Sequence, residues 1–290
     1  MRKKENLENF LLKIKDDDLE SRLLKAEILF KLERLNEALA MLQGIDLLEG
    51  FLLRYKILLK IGKVKEAVSE LQKAIEVYPY NHYVHFLLAK IEERLGNLEI
   101  ALEEINRSLE IMPISTKYLM LKSKILFEMG NYEESLLTSN EIIKNNPDNV
   151  AVRIMRILSY YNLGARYDAL MEVNKALEYS KDHYLHFLKG KIYYELGHYT
   201  LAIDEFKIAI YAVEKPEYLY YLSLVLYIMK KYNESLAYIE KALDKENKPY
   251  YLALKAKILW ELKDENARRI ANEAINMDKS LLSILKEIVG

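Results

Sequence analysis

Small and apolar residues recur along this chain at helical spacing, and the pattern itself repeats about every 34 residues. Ala67 and Ala74, for example, stand two turns apart on one face of a predicted helix. Because small side chains let two helices approach closely, this face is expected to pack on a neighbouring helix. The first column of small residues consists of Ala38, Ala67, Ala101, Ser135, Ala169, Ala202, Ser235 and Ala267. The second consists of Ala74, Ser108, Ala176, Ala209, Ala242 and Ala274, with Ile45 and Ile142 as exceptions.

Glycines and prolines mark the ends of the predicted helices. Five glycines recur at this interval, each shortly before a member of the first small-residue column; they are Gly62, Gly96, Gly130, Gly164 and Gly197. A glycine between two helices readily adopts the conformation that reverses the chain. Pro79, Pro113 and Pro147 recur at the same interval, where proline prevents the second helix from continuing. After Pro147, Asp148 and Asn149 can cap the next helix. Each unit is therefore predicted to be an antiparallel helical hairpin.

The repeat resembles the tetratricopeptide repeat, whose pattern of about 34 residues has a Leu-Gly pair, an aromatic residue, two alanines and a closing proline. The clearest unit extends from the Gly-Asn-Tyr at 130–132 to the Asn-Pro-Asp-Asn at 146–149, and the Gly-His-Tyr at 197–199 repeats its opening. The resemblance implies an all-α fold, a right-handed superhelical solenoid of tandem antiparallel helix pairs. The chain departs from the family pattern in a short first unit and in the absence of the usual tryptophan column.

The repeat organises most of the chain. We expect about eight hairpins over residues 19–278. Residues 1–18 and 279–290 each contain an amphipathic segment, at Asn6–Lys15 and Ser280–Val289, and are predicted to form N-terminal and C-terminal capping helices because the end repeats need a cover. Contact of these two segments with a partner is the alternative.

The first helix of each hairpin has two distinct faces. One carries small or apolar residues such as Ala89, Ser123 and Gly190 and is expected to face the interior. The second lies about 100° around the helix, and in the solenoids that the chain resembles it lines the concave groove. We call its predicted ligand contacts the groove face. They are five lysines and nine large apolar residues: Lys56, Lys90, Lys124, Lys191, Lys257, Phe86, Met120, Phe127, Tyr161, Phe187, Tyr194, Tyr220, Tyr227 and Trp260.

The groove face has two interpretations that the sequence leaves equally open. In the first, aromatic anchors supply most of the affinity for a partner, since a buried hot spot contributes about 2 kcal/mol or more, and the lysines favour an acidic segment, each exposed ion pair adding roughly 0.2–1 kcal/mol. In the second, the lysines only keep an apolar surface soluble and the rings fill space between hairpins. A second basic column shows that basic residues are not confined to this face; it consists of Arg54, Lys122, Arg156, Lys189 and Lys255.

Charge and composition narrow the class of partner. The 290 residues include 43 basic and 44 acidic side chains, so no net field holds the chain on nucleic acid or on an anionic membrane. The longest nearly apolar run, from Tyr218 to Met229, is well under the ~20 residues of a membrane span. The absence of cysteine excludes disulfides and thiolate chemistry and fits a reducing compartment. The start of the chain has no uninterrupted apolar signal core. We expect a cytoplasmic protein that does not enter a membrane.

Residues that could perform catalysis or bind a metal are few. His82 with His85, and His183 with His186, have a spacing that can bind a metal from one helix face, but we expect them to pack at helix starts. No glycine-rich phosphate loop, nucleophile elbow or zinc-protease motif is present, so we predict no enzyme activity, no cofactor and no metal site. In the resembling family an asparagine-containing clamp holds peptide carboxylates, and here only Asn162 lies near the groove face, so we do not predict chaperone-tail binding.

The sequence therefore favours a protein-interaction scaffold or adaptor. Its predicted ligand is an acidic, apolar peptide or protein segment bound in the concave groove. The alternative is single-stranded nucleic acid, since lysines alternating with aromatic residues also suit a backbone-and-stacking groove; the near-zero net charge argues against it. The sequence leaves the oligomeric state open.

Overall fold

The fold consists of helices that pack in sequence order. The computed structural model describes residues 2–14 and 18–290, and these form eighteen α-helices and one 3-10 turn, without a strand. First helices pack on the second helices of their hairpins, and neighbouring hairpins of the same compact unit pack on one another. The prediction of an all-α fold of tandem antiparallel helix pairs is confirmed. The chain divides into two compact units, Met1–Ile142 and Ile143–Gly290.

The first unit begins with a single helix, followed by hairpins. Its short hairpin is the first, since the second helix of that hairpin, α3 (Leu35–Met41), has only seven residues, as the closer spacing of Ala38 and Ala67 predicts. The boundary between the units falls within α9 (Tyr132–Asn145). The helices are α1 (Arg2–Leu11), α2 (Leu19–Lys31), α3 (Leu35–Met41), α4 (Leu48–Ile61), α5 (Val64–Val77), α6 (His82–Leu95), α7 (Leu98–Ile111), α8 (Thr116–Glu128) and α9 (Tyr132–Asn145).

The second unit contains four hairpins and a C-terminal element. Asn149 caps its first helix by accepting a hydrogen bond from the backbone N–H of Val152 at 3.2 Å, as the sequence predicts. The helices are α10 (Val150–Asn162), α11 (Arg166–Tyr179), α12 (His183–Glu195), α13 (Tyr199–Ala212), α14 (Pro216–Ile228), α15 (Tyr232–Lys245), α16 (Pro249–Glu261) and α17 (Ala267–Met277). They are followed by a 3-10 turn (Lys279–Leu281) and α18 (Leu282–Val289).

The turn inside each hairpin requires a left-handed backbone. The five glycines in the predicted phase all have φ between 76° and 88°. Three residues that are not glycine take the same conformation at the equivalent turns of other hairpins: Glu33 (φ 65°), Lys230 (φ 60°) and Lys263 (φ 59°). The turn therefore belongs to the repeat even where the sequence does not supply glycine.

The core lies between the two layers of helices. Both predicted columns of small residues are buried, and the interior face of the first helices is buried at Ala89, Ser123 and Ala256. Serine takes the place of alanine where it has a partner: Ser123 and Ser135 donate to each other's carbonyl oxygen at 3.1 and 2.9 Å. Small residues thus allow close approach of the helices, and their hydroxyls are satisfied inside the core.

The two end segments differ in their packing. α18 packs on α16 and α17 and buries Leu285 and Ile288, whereas α1 contacts α2 through fewer residues and leaves Phe10 half exposed. The predicted N-terminal cap over residues 1–18 includes positions 1 and 15–17, which lie outside the described residues. A capping function for either segment stays a prediction. Among the described residues, no helix combines the length and the apolar character needed to cross a membrane.

Candidate functional site

Neighbouring first helices bring the predicted groove-face columns into contact in the second unit. The ammonium of Lys191 on α12 lies 5.3 Å from the ring centre of Tyr161 on α10 and 5.7 Å from that of Phe187. The ring centre of Tyr221 on α14 lies 5.0 Å from the same ammonium and completes the enclosure. Cation–π attraction of this kind stabilises a lysine among rings without a carboxylate partner. Lys191 is therefore already surrounded by aromatic side chains of its own chain.

The same two columns meet in the first unit, with different chemistry. Lys124 on α8 forms an ion pair with Glu93 on α6 at 2.6 Å and with Glu128 at 3.4 Å. The hydrogen bond to Glu93 raises the pKa of Lys124. A ligand carboxylate would have to compete with Glu93 for this lysine, so Lys124 is less available to an acidic segment than the sequence predicts.

Two of the predicted aromatic anchors are buried. Phe86 is 3% exposed and Phe187 is 2% exposed, because the next first helix covers each ring with a tyrosine. Phe86 stacks on Tyr118 at 4.9 Å between ring centres, and Phe187 stacks on Tyr218 at 4.3 Å. The prediction that these two side chains are ligand contacts is corrected: they fill space between hairpins.

The remaining residues of the groove face have surface available to a partner. Lys56, Lys90 and Lys257 have no ion pair among the described residues. Trp260 is 49% exposed. The half-buried members are Met120, Phe127, Tyr161, Tyr194, Tyr220 and Tyr227. Whether they bind a ligand stays a prediction.

A pocket of about 150 Å³ opens on the groove face of the second unit. It lies between α14, α16 and the C-terminal element, and Lys257 is its one charged lining residue. The lining residues are Tyr220, Leu224, Tyr227, Tyr250, Ala253, Leu254, Lys257, Leu281 and Ile284. Burial raises the pKa of Tyr220 to about 12, and it also raises that of Tyr227. Both rings are thus neutral at physiological pH.

Five residues around Lys191 and Lys257 were not singled out from the sequence: Tyr221, Tyr250, Leu254, Leu281 and Ile284. Tyr221 stands in a column that elsewhere holds buried aliphatic residues, such as Leu87 and Leu254, and this change of residue type is a signal for it. Tyr250 precedes Tyr251 in one of four tyrosine pairs in the sequence, so the pair alone is not a signal for it. For Leu281 and Ile284 the sequence holds no such signal, since it does not say which side of the last hairpin the C-terminal element covers.

The second basic column has a structural role. Arg54 pairs with Glu70, Arg156 with Glu172 at 3.2 Å, and Lys189 with Glu205 at 2.9 Å. Lys255 pairs with Glu240 at 2.8 Å. These glutamates all lie on second helices, so the pairs join the two helix layers. Most of this column is therefore used inside the fold, unlike Lys56, Lys90 and Lys257.

The two histidine pairs also lie within the packing. His85 donates from Nδ1 to Glu104 at 2.6 Å and from Nε2 to the Pro79 carbonyl at 2.9 Å, and the bond to Glu104 raises the pKa of His85. His82 lies 2.6 Å from the Tyr118 hydroxyl. No group of three or more potential metal ligands occurs in the described residues. The histidines pack at helix starts.

These histidine contacts occur twice in the chain, three hairpins apart. His183 lies 2.9 Å from the Tyr218 hydroxyl and His186 lies 2.6 Å from Glu205, which repeats the arrangement of His82, Tyr118, His85 and Glu104. The serine pair recurs as well, as Ser223 with Ser235 at 2.9 Å. The sequence shows the same duplication in the Asn-His-Tyr-Val-His-Phe at 81–86 and the Asp-His-Tyr-Leu-His-Phe at 182–187. The two copies of these arrangements are three hairpins apart, a separation along the sequence that we call one larger unit.

Comparison with known proteins identifies the smaller repeat. A family model described as tetratricopeptide repeat matches residues 53–113 and 187–251. A tetratricopeptide repeat protein from Parabacteroides merdae has a similar structure, with a TM-score of 0.69 at 21% identity over 83% of this chain and 98% of that chain. Pseudomonas aeruginosa pilF gives a TM-score of 0.60 at 16% identity, over 72% and 97%.

A third similar structure is a chain of the APC/C hetero-tetramer Cut9–Hcn1, with a TM-score of 0.61 at 12% identity over 99% of this chain and 67% of that chain. At these identities the likeness concerns the fold. No curated protein sequence matches this chain.

Proposed function

Because this chain is a tetratricopeptide repeat protein, we propose that it acts as a scaffold or adaptor and binds a segment of another protein on the groove face of its second unit. Proteins of this fold generally mediate protein–protein interactions. The Cut9–Hcn1 structure, a hetero-tetramer, is one example of the fold in an assembly.

The observation that carries the proposal is the concentration of accessible aromatic surface on this face. Tyr194, Tyr220, Tyr227 and Trp260 retain exposed surface there, and Tyr220 and Tyr227 line a pocket together with Lys257. Aromatic side chains in a preformed concavity are the usual anchors of a protein interface. Packing within the chain buries only part of these side chains, so a partner can bury the remaining exposed surface.

The charges favour an acidic partner segment over nucleic acid. Binding of nucleic acid depends on many lysines and arginines that neutralise phosphates, whereas Lys124 and four residues of the second basic column are paired with glutamates of the chain. Lys257 has no such pair among the described residues and stands beside aromatic rings. A single unpaired lysine among rings suits a carboxylate of a protein better than a phosphate backbone.

The test is capture of a partner by matched variants of the full-length chain. Lys257→Glu and Trp260→Ala change the groove face; Lys207→Glu and Tyr211→Ala make the same kinds of change at exposed positions on α13, where Tyr211 is 95% exposed. Each immobilised protein is incubated with native lysate, with and without nuclease treatment, and captured proteins are quantified by mass spectrometry. Circular dichroism confirms that each variant is folded.

We expect one defined protein to be retained by the wild type and by both α13 variants, and to be reduced about tenfold or more by each groove-face variant, in line with the loss of a hot spot. Equal retention by all four variants would show that binding lies elsewhere. Capture that disappears after nuclease treatment would instead support the nucleic-acid alternative.

A further inference from the structure

We infer that the pocket between α14, α16 and the C-terminal element binds a single aromatic side chain of the partner, with a carboxylate of the same segment beside Lys257. This inference deepens the proposed function by naming the chemical class of the ligand, and it rests on that function. It also gives the C-terminal element a role at the site, through Leu281 and Ile284.

The volume of the pocket limits its occupant to one side chain. Its volume is about 150 Å³, whereas sites for cofactors and drug-sized ligands have roughly 300–1,000 Å³. An apolar cavity of ~150 Å³ is known to hold one benzene ring. The pocket is therefore too small for a cofactor and matches the ring of a phenylalanine or tyrosine.

The lining favours an aromatic ring over an aliphatic group. Tyr220, Tyr227 and Tyr250 contribute three rings, and Tyr220 already meets Tyr250 edge to face at 5.1 Å between ring centres. Ring pairs in edge-to-face or offset geometry gain attraction beyond the area that they bury. A further ring entering the pocket can continue this arrangement. Leu224 and Leu254 supply apolar walls.

Lys257 favours an occupant that carries a negative charge. It is the one charged side chain in the lining, and within the described residues no carboxylate lies close enough to pair with it. On the preceding first helices of the same face, the equivalent lysine position is filled by Leu224 on α14 and by Lys191 on α12, which is enclosed by rings. Lys257 is therefore the cation of this pocket that is available to pair with a ligand carboxylate.

The probe for this inference is 3-phenylpropionate, which joins one ring to one carboxylate. Two relatives separate the contributions: 3-phenylpropionamide has the ring without the charge, and propionate has the charge without the ring. Each is titrated into the full chain with ¹³C-labelled isoleucine and leucine methyl groups. The signals of Ile284, Leu281 and Leu224 report on the pocket, and Ile100 on α7, which is 48% exposed, reports on non-specific binding.

We expect 3-phenylpropionate to shift the pocket methyl signals saturably with a millimolar dissociation constant, as suits so small a ligand. The amide should bind about two- to fivefold more weakly, the range for an exposed ion pair, and propionate should give no saturable shift. Lys257→Gln should remove the difference between acid and amide. Ala253→Phe, which fills the pocket from within, should remove binding of both.

A second variant keeps the test decisive if Ala253→Phe does not fold. Ile284→Glu changes a position that is 53% exposed and places a negative charge at the pocket, so it should weaken the acid and leave the amide nearly unchanged. No saturable shift in the wild type, or equal binding of acid and amide, would overturn the inference. Because this readout needs no partner, its failure leaves the capture experiment, and with it the proposed function, unaffected.

Discussion

The ring of Phe206 on α13 occupies the space that a side chain at Gly190 on α12 would need. A Cβ atom placed at Gly190 would lie 2.6 Å from two carbon atoms of that ring. One larger unit earlier in the sequence, the same two positions hold Ala89 and Ile105. The larger ring of Phe206 is therefore accommodated by a residue without a side chain.

This relationship predicts a strong coupling between the two positions. Gly190→Ala should lower the free energy of unfolding by about 1–3 kcal/mol, the usual cost of overpacking. Phe206→Ile removes the obstructing atoms, so the double variant should be more stable than the sum of the single changes predicts, by ~1 kcal/mol or more. Urea unfolding of the four proteins measures the coupling. Additive effects would show that the contact is not the cause.

At two of the left-handed turns, a lysine is expected to give a lower free energy of unfolding than a glycine would. Lys230 and Lys263 have φ of 60° and 59°, a conformation that costs an L-residue roughly 1 kcal/mol or more and glycine almost nothing. Lys230→Gly should therefore raise the free energy of unfolding by about 0.5–1 kcal/mol, and Lys263→Gly should do the same.

The control for this prediction is a glycine placed within a helix. Lys241→Gly, at an exposed position on α15, should destabilise by about 1 kcal/mol. Gly130→Ala should also destabilise, although a Cβ there meets no atom within 4 Å, because only the backbone conformation opposes it. Thermal unfolding compares all four; if Lys230→Gly behaves like Lys241→Gly, the turn is not strained.

Two buried tyrosines at equivalent positions should respond in opposite ways to loss of the hydroxyl. The Tyr218 hydroxyl has His183 as its partner at 2.9 Å. The hydroxyl of Tyr251, which is fully buried, lacks a histidine partner, because Pro216 stands at the position equivalent to His183. Beyond a weaker interaction with Tyr250, it makes no hydrogen bond of normal geometry among the described residues. An unpaired buried hydroxyl costs about 1–3 kcal/mol.

Tyr251→Phe should accordingly raise the free energy of unfolding by ~1 kcal/mol, whereas Tyr218→Phe should lower it by a similar amount. Tyr118→Phe serves as the matched control, since the Tyr118 hydroxyl lies 2.6 Å from His82, and it should follow Tyr218→Phe. Chemical denaturation gives the three differences. A destabilised Tyr251→Phe would show that its hydroxyl is satisfied.

The buried pair of His85 and Glu104 predicts a dependence of stability on pH. Both ring nitrogens of His85 donate, which requires the charged imidazolium, and Glu104 also accepts from Arg107 at 3.1 Å. The pKa of His85 is raised above that of the unfolded chain. The stability due to the pair is therefore complete below about pH 6.5 and is lost as the pH rises through the folded-state pKa.

The measurement is the difference in free energy of unfolding between the wild type and His85→Gln. It should be largest near pH 5.5 and should decrease steadily toward pH 9. Taking the difference between the two proteins removes the titration of groups that they share. A difference that is constant with pH would mean that His85 is neutral in the folded protein.

The helices, their order in hairpins and the residues at which they turn follow from the amino-acid sequence alone. These features depend on local geometry: a left-handed glycine ends a helix wherever it stands, and small residues two turns apart mark a packing face in any neighbourhood. The phase of the repeat therefore predicts the correct turn even at Lys230 and Lys263, where the backbone conformation follows the repeat and not the residue type.

Packing between hairpins determines which groove-face side chains remain accessible. Phe86 and Phe187 are buried, because Tyr118 and Tyr218 from the next hairpin cover them. Likewise, Glu93 from the preceding hairpin pairs with Lys124. The exposure and the charge of each position depend on the size and type of the side chain that the adjacent hairpin contributes. That is a property of the packed pair of hairpins, and the periodic pattern of one repeat does not contain it.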